Sequence, residues 1–260
     1  MNIVVCVKQT PDTAATVTVE GGKVSWGDAA LVLNPWDEFA VEEALQIKEQ
    51  HEGQVTAISL GSEDAQEALK QSLAMGCDQA ILISDPSFAG LDTLQVSRVL
   101  AAAVEKVGGA DLVLFGRSSV DSDAGITGAQ VARRLGFPSL SLVARVIELD
   151  PGNKTIQVER MLEEGRQLVS APLPAVLSVV KEINEPRYPS FMGIRKASKA
   201  EIPVWSGADL GISDALKSAV EWPEIMAPPK VDTEVVLIEG ESTAEMAKKL
   251  VERLVEEKVI

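Results

Sequence analysis

The feature that most constrains this chain is a change of hydrophobic period about half-way along it. In the first half, short apolar runs rich in β-branched residues fall at 3–7, 55–60, 80–83 and 111–115. Segments of helical period alternate with them, at 36–51, 62–75, 93–107 and 128–135. Apolar runs without in-and-out alternation belong to strands covered on both faces, and a helix between successive strands is the crossover that a parallel sheet requires. From about Leu140 the spacing shortens. Segments 141–149, 154–159 and 166–170 are separated by Asp150-Pro151-Gly152-Asn153 and Glu163-Glu164-Gly165, turn sequences that append antiparallel strands to the parallel set. Residues 175–180 form one more near-continuous apolar strand.

The expected fold is therefore α/β: a mostly parallel, Rossmann-like sheet with helices on both faces, an antiparallel strand extension, and an extended C-terminal arm ending in a helix. Asn34 is placed to cap the first helix, with Pro35 at its first position and Asp37 in its first turn, and Asp92 precedes Gln95 at capping-box spacing. His51, the only histidine, lies in a polar stretch that reads as a solvated helix end. Residues 184–229 are punctuated by Pro and Gly; long irregular regions of this kind are functional or lie on a partner. Ser242 and Glu245 start a closing helix whose Met246, Leu250, Val251 and Leu254 make an apolar stripe.

Charge and composition exclude several functions. Lys plus Arg number 24 against 39 Asp plus Glu, a net charge of −15, so the global field repels nucleic acid. Two cysteines, Cys6 and Cys77, with one histidine leave no zinc set and no disulfide framework, and both thiols are expected reduced. No apolar run reaches the roughly 18 residues of a membrane span. The start lacks a secretory pattern, so the expected location is the cytoplasm, without membrane insertion.

The richest candidate site leaves the strand at 111–115 and enters the next helix: Gly116-Arg117-Ser118-Ser119-Val120-Asp121-Ser122-Asp123-Ala124-Gly125-Ile126-Thr127-Gly128. Glycines admit a ligand to the backbone, Ser118, Ser119 and Thr127 offer hydroxyls, and the helix start offers N–H groups to an anion. Open α/β sheets bind ligands at this end of their strands. The loop is neither a Walker sequence nor GxGxxG, and an ordinary Gly/Ser loop with aspartate caps fits the same residues. Asp121 and Asp123 repel phosphate and are expected to accept bonds from amides or a ribose. If the first strand is central, Cys6-Val7-Lys8-Gln9-Thr10-Pro11-Asp12 and Asn34-Pro35-Trp36-Asp37 converge on the same edge. Asn34 reads as a cap or a ligand residue, Trp36 as a core staple or a face for a planar ring, and Lys8 as a surface charge or a phosphate partner. Residues 184–197 hold the only tyrosine, Tyr188, and set Phe191, Met192 and Ile194 among turn residues. That segment is either a docking element or a loop folded back on the core.

Together these segments resemble the β subunit of electron transfer flavoprotein across nearly the whole chain. The matching pieces are residues 4–8 with Pro11-Asp12, Asn34-Pro35-Trp36-Asp37-Glu38-Phe39-Ala40-Val41-Glu42-Glu43-Ala44, Leu73-Ala74-Met75-Gly76-Cys77-Asp78, Leu94-Gln95-Val96, the 116–128 loop, and Asn184-Glu185-Pro186-Arg187-Tyr188. The resemblance implies a heterodimer in which an α subunit carries most contacts to a redox-active FAD. The β chain holds a structural AMP and helps to cover the flavin. Electrons arrive from acyl-CoA or related dehydrogenases, as in fatty acid oxidation, and leave to a quinone reductase or other acceptor. The β chain is then an electron carrier subunit with no catalytic residue or metal of its own.

Carried over by position, the AMP contacts are Cys6, Asn34, Pro35, Trp36, Asp37, Leu60 and every residue from Gly116 to Thr127, several through backbone. Trp36 also lies close to the flavin. Phe191 stands where the family's docking loop presents an apolar anchor, usually leucine, with Tyr188, Met192 and Ile194 beside it. Ile126 stands where glutamine is common, which leaves Thr127 as the side-chain contact to the nucleotide. The implied segments are a nucleotide-binding domain at 1–183, a recognition loop at 184–200, and an arm and helix docking on the α subunit at 201–260. Two other readings stand beside this one: a bifurcating member with a second FAD in place of AMP and NADH as donor, and a stand-alone adenine-nucleotide-binding regulator on a similar sheet.

Overall fold

The computed structural model describes residues 1–212, 216–229 and 235–260; residues 213–215 and 230–234, which fall in the irregular stretch and arm expected after residue 184, lie outside the described residues. Two compact units are formed, Met1–Glu224 and Ile225–Ile260.

In the first unit β1 (Asn2–Cys6) is followed by the short strands β2 (Gln9–Pro11), β3 (Thr18–Glu20), β4 (Lys23–Ser25) and β5 (Leu31–Leu33). Then come α1 (Pro35–His51), β6 (Gln54–Leu60), α2 (Gln66–Met75), β7 (Gln79–Ile83), α3 (Thr93–Lys106), β8 (Leu112–Gly116) and α4 (Thr127–Leu135). The remaining elements are β9 (Ser139–Asp150), β10 (Thr155–Leu162), β11 (Gly165–Pro172), β12 (Ala175–Val179), α5 (Phe191–Ala197) and β13 (Val204–Trp205). One sheet of nine strands runs β11-β10-β9-β12-β8-β1-β6-β7-β13. Pairing is parallel from β9 to β13 and antiparallel from β9 to β11.

Successive side chains of the central strands enter different cores. Ile3, Val5, Leu112 and Leu114 pack with Ala40 and Leu45 of α1 and Leu69 of α2. Val4, Val113, Ile58 and Ile81 pack with Val99 and Val104 of α3 and Val131 of α4. With both faces covered, no position along a central strand needs to be polar, and each fully buried Ile or Leu contributes about 1.5–3 kcal/mol. The chain leaves β1 through β6 and β7 on one flank, and α3 then returns it to β8 on the other. That reversal between β1 and β8 opens the crevice where such sheets bind ligands.

Three elements depart from the expected reading. Residues 18–25 form a separate ribbon of β3 and β4 about Gly21-Gly22, both left-handed at φ 57° and 75°. Residues 191–197 are helical, not a loop: Ser190 Oγ accepts the Gly193 N–H at 2.9 Å and caps α5. The helix packs on α2, and a Cβ at Gly193 would overlap the Ala74 carbonyl. Within the stretch assigned to the arm, β13 extends the sheet beyond β7, with Lys106 Nζ 5.0 Å above the Trp205 ring. In the second unit α6 (Thr243–Glu256) starts at Ser242, whose Oγ accepts the Glu245 N–H, while Glu245 accepts the Glu241 N–H. Its Leu250 and Val251 are exposed.

Helix α1 is covered on a second side by the segment after β12. Asn184 Nδ2 donates to the Phe39 carbonyl and to Glu43 Oε2, both at 3.1 Å. Arg187 reaches Glu42 through Nε at 2.8 Å and Nη2 at 3.1 Å, and Glu49 through Nη1 at 2.6 Å. Burial alone would raise the Glu42 carboxyl, but the Arg187 guanidinium holds it below the ordinary carboxylate range. Arg187 is therefore a clamp on α1. Arg187→Ala leaves the buried Glu42 without its cation; we expect a loss of about 1–3 kcal/mol in urea unfolding, with Arg187→Lys intermediate, and an unchanged midpoint would refute the clamp.

Candidate functional site

The crevice is framed by the first turn of α1. β1 and β8 lie side by side, but beyond their ends the chains diverge and their backbone groups need other partners. Asp37 supplies them: Oδ2 accepts the Lys8 N–H at 2.8 Å and Oδ1 accepts the Gly116 N–H at 3.2 Å. Asn34 sits at the cap position of α1, but its side chain makes no cap bond. Its amide instead donates to the Ser118 carbonyl at 2.8 Å and its oxygen accepts the Val120 N–H at 3.2 Å. The expected cap is thus a cross-loop stitch, and the sequence position is the same for both. Gly116 must be glycine, since a Cβ there would stand 2.6 Å from Asp37 Oδ1 and from the Trp36 carbonyl.

The expected residues converge on this edge. Cys6 ends β1, buried, its thiol pushed up by burial and by Asp37. Leu60 ends β6, half-buried against the second core. Pro35 opens α1, and the Trp36 ring lies 5.3 Å below the Arg117 guanidinium and 6.4 Å from the Phe39 ring. In the loop, Ser119 and Ser122 hydroxyls are 2.8 Å apart and the Asp123 N–H reaches the Ser119 carbonyl at 2.8 Å. Lys8 Nζ is 2.6 Å from Asp121 Oδ2, so that lysine already has an anion and that aspartate already has a cation. Val120, Ala124, Gly125 and Ile126 are exposed, and Thr127 opens α4. Ile126 gives α4 no side-chain cap, so the N–H groups of its first turn keep no side-chain acceptor.

One hydroxyl stands out. Ser118 Oγ is buried and has no hydrogen-bond partner among the described residues, as is also true of Thr10 Oγ1 in β2 and Ser59 Oγ near the end of β6. Ser118 lines a cavity of about 280 Å³ with Arg117, Asp123, Gly125, Ser141, Leu142 and Ser178. The last three come from β9 and β12 and carry no local sequence signal. Tyr188, Phe191, Met192 and Ile194 lie elsewhere, on and before α5 against the last turn of α2, and are 96%, 78%, 68% and 53% exposed. Among the described residues no group of His, Cys, Asp and Glu is placed to hold a metal, and no helix is long and apolar enough to cross a membrane.

Burial pushes Asp37 up to about 7, against the bonds from Lys8, Asn34 and Gly116 that lower it. A carboxyl whose folded pKa exceeds its unfolded value binds more protons in the folded state between the two. Its contribution is therefore fully present in acid and declines as pH rises from about 4 to about 7. Asp37→Asn removes this dependence and also leaves one backbone N–H facing an amide donor. We expect the stability gap between wild type and Asp37→Asn to be wider at pH 5 than at pH 8 in urea unfolding; a gap that widens with pH would reverse the assignment.

Comparison with known proteins agrees with this architecture. The Electron transfer flavoprotein domain matches residues 27–210. The Caffeyl-CoA reductase-Etf complex subunit CarD of Acetobacterium woodii is 37% identical over 267 residues, covering 100% of both chains. The electron transfer flavoprotein subunit beta of Thermoanaerobacterium thermosaccharolyticum is 39% identical over 82% of this chain and 81% of its own. Protein FixA of Azorhizobium caulinodans is 37% identical over 84% of this chain and 79% of its own. A sheet that reverses between β1 and β8, with the 34–37 and 116–127 segments stitched across it, here belongs to the electron transfer flavoprotein family, as a β-type subunit.

Proposed function

We propose that this chain works in the cytoplasm as the nucleotide-holding half of a heterodimeric electron transfer flavoprotein. It binds AMP in the crevice between β1 and β8 and helps an α subunit enclose the FAD. The single observation that carries the nucleotide is Ser118 Oγ, a buried hydroxyl without a partner in the wall of a cavity beside an uncapped helix start. Buried polar groups are rarely left unpaired, so this one fits a bound acceptor. Thr127 and the first-turn amides of α4 suit a phosphate, and Trp36 under Arg117 suits a planar ring. Cys6, Asn34, Pro35, Asp37 and Leu60 frame the crevice, Asn34 and Asp37 through bonds to its loops.

FAD supplies the redox chemistry when bound. This chain's residues hold, orient and cover. A nucleotide that binds only the folded state stabilises it by mass action, so AMP acts as a structural part. The exposed Tyr188, Phe191, Met192 and Ile194 form an apolar tip for docking a donor dehydrogenase of the acyl-CoA class, from which electrons pass to a quinone reductase or another acceptor. The exposed apolar residues of α6 suit docking on the α subunit.

CarD, named for a reductase–Etf complex, favours a second reading, in which the same crevice holds the adenylate of a second FAD and NADH is the donor. Acid extraction of the purified heterodimer separates the two. One AMP and one FAD per heterodimer are expected, and stripping AMP should lower the melting temperature without altering the flavin spectrum. Two FAD and no AMP would establish the second reading, and no adenylate at all would refute both. Phe191→Ala should weaken docking to the dehydrogenase by about 1–3 kcal/mol while heterodimer assembly stays intact; unchanged electron-transfer rates would remove α5 from the docking surface.

A further inference from the structure

β9 is irregular where Ser141 and Leu142 line the cavity beside Ser118. Leu142 is left-handed at φ 58°, and the strand's register breaks on both sides, opposite Glu159/Arg160 of β10 and opposite Leu177/Val179 of β12. A branched apolar residue gains nothing by adopting this conformation alone, so neighbouring contacts must hold it. Arg160 does so: Nε donates to the Ser141 carbonyl at 2.7 Å and Nη2 to Ser141 Oγ at 2.9 Å, while Nη1 is anchored on Gln167 Oε1 at 3.2 Å. On the other side the Leu142 N–H points to Ser178 Oγ at 3.4 Å.

These bonds have a directional consequence. A guanidinium and a backbone N–H can only donate, so Ser141 Oγ and Ser178 Oγ are both acceptors in them, and each hydroxyl keeps its own proton to give. Ser141 and Ser178 line the same cavity as Ser118, whose hydroxyl has no partner among the described residues. The wall thus presents three hydroxyls to one space, two of them already committed as acceptors, beside the Arg117 cation. Asp123, the carboxylate of the lining, is exposed. A ligand group that only accepts matches this wall, and among the parts of an adenylate that group is the phosphate; the base and ribose both carry donors.

We propose that Ser141 and Ser178 form a phosphoryl-oxygen subsite on the β9–β12 wall of the cavity that Ser118 also lines, with Arg160 as its positioning residue; this rests on the adenylate reading above. The assembled heterodimer, freed of bound nucleotide, is titrated calorimetrically with AMP and with adenosine. Ser141→Ala, Ser178→Ala and Arg160→Gln should each weaken AMP roughly tenfold while leaving adenosine affinity unchanged, with Arg160→Lys between, since an ammonium cannot hold both Ser141 atoms at once. The rise in melting temperature on adding AMP should shrink in the same order. If the wild type binds AMP and the variants bind it equally well, or lose AMP and adenosine alike, the subsite is refuted while the adenylate reading stands. If the wild type binds neither compound, both fall together.

Discussion

The two oxygens of Asp37 fix how the loops at the switch point lie. Strands β1 and β8 are held by their ladder only as far as it runs, and the amides of Lys8 and Gly116 come after it. Left in a buried place without acceptors, each would cost about 1–3 kcal/mol. A single carboxylate on the first turn of α1 satisfies both, and Asn34, three residues earlier, repeats the device for Ser118 and Val120. The helix that makes the first crossover therefore also sets the mouth of the crevice. Its own position is set from two sides, by the core under it and by Arg187 and Asn184 over it. The carboxylate is buried to do this, which is why its proton affinity rises even with two amides pointed at it.

What was legible in the sequence follows from burial. Strands with both faces covered announce themselves as apolar runs, and β1, β6, β7, β8 and β12 lie within a residue or so of where those runs fall. The change to antiparallel pairing was legible in the turns at 150–153 and 163–165. Short, exposed elements left weaker traces. The ribbon of β3 and β4 has three residues a side and little burial, and its one signal was the Gly21-Gly22 pair between β-branched residues. Helix α5 spans seven residues and leaves most of its apolar side chains exposed, so no periodic stripe marked it; Ser190 at the cap was the available cue. β13 joins the sheet by two residues, too few for any pattern.

The site shows a different limit. Residue types at 34–37 and 116–127 were readable as polar and turn-forming, but a side chain's partner depends on what the fold brings near. Asn34 occupies a cap position and bonds across the crevice instead, because Ser118 and Val120 present a carbonyl and an amide that nothing else satisfies. Lys8 and Asp121 were separate charges in the sequence, 113 positions apart, and are one ion pair in the fold. Ser141, Leu142 and Ser178 sit inside strands whose periodicity says only that they are strands. Their place in the cavity wall comes from a bulge that no composition encodes.

An excess of 15 negative charges sets the terms on which such a protein can hold an anion. Long-range attraction is unavailable, and of the two cations nearest the loop one is paired with Asp121 and the other stacks on Trp36. What remains are neutral donors: serine hydroxyls and the first amides of α4. These act only at hydrogen-bond distance and lose little to screening, so their strength depends on how well they are pre-set instead of on net charge. Pre-setting is what Asp37, Asn34 and Arg160 supply, each by occupying backbone or hydroxyl groups that would otherwise rearrange. The same logic applies to the exposed tip. Arg187 fixes the chain one residue before Tyr188, and Gly193 seats α5 against Ala74 with no room for a side chain between them. Apolar groups carried on so constrained a base have less freedom to lose on burial, which is what the proposed docking role requires of them.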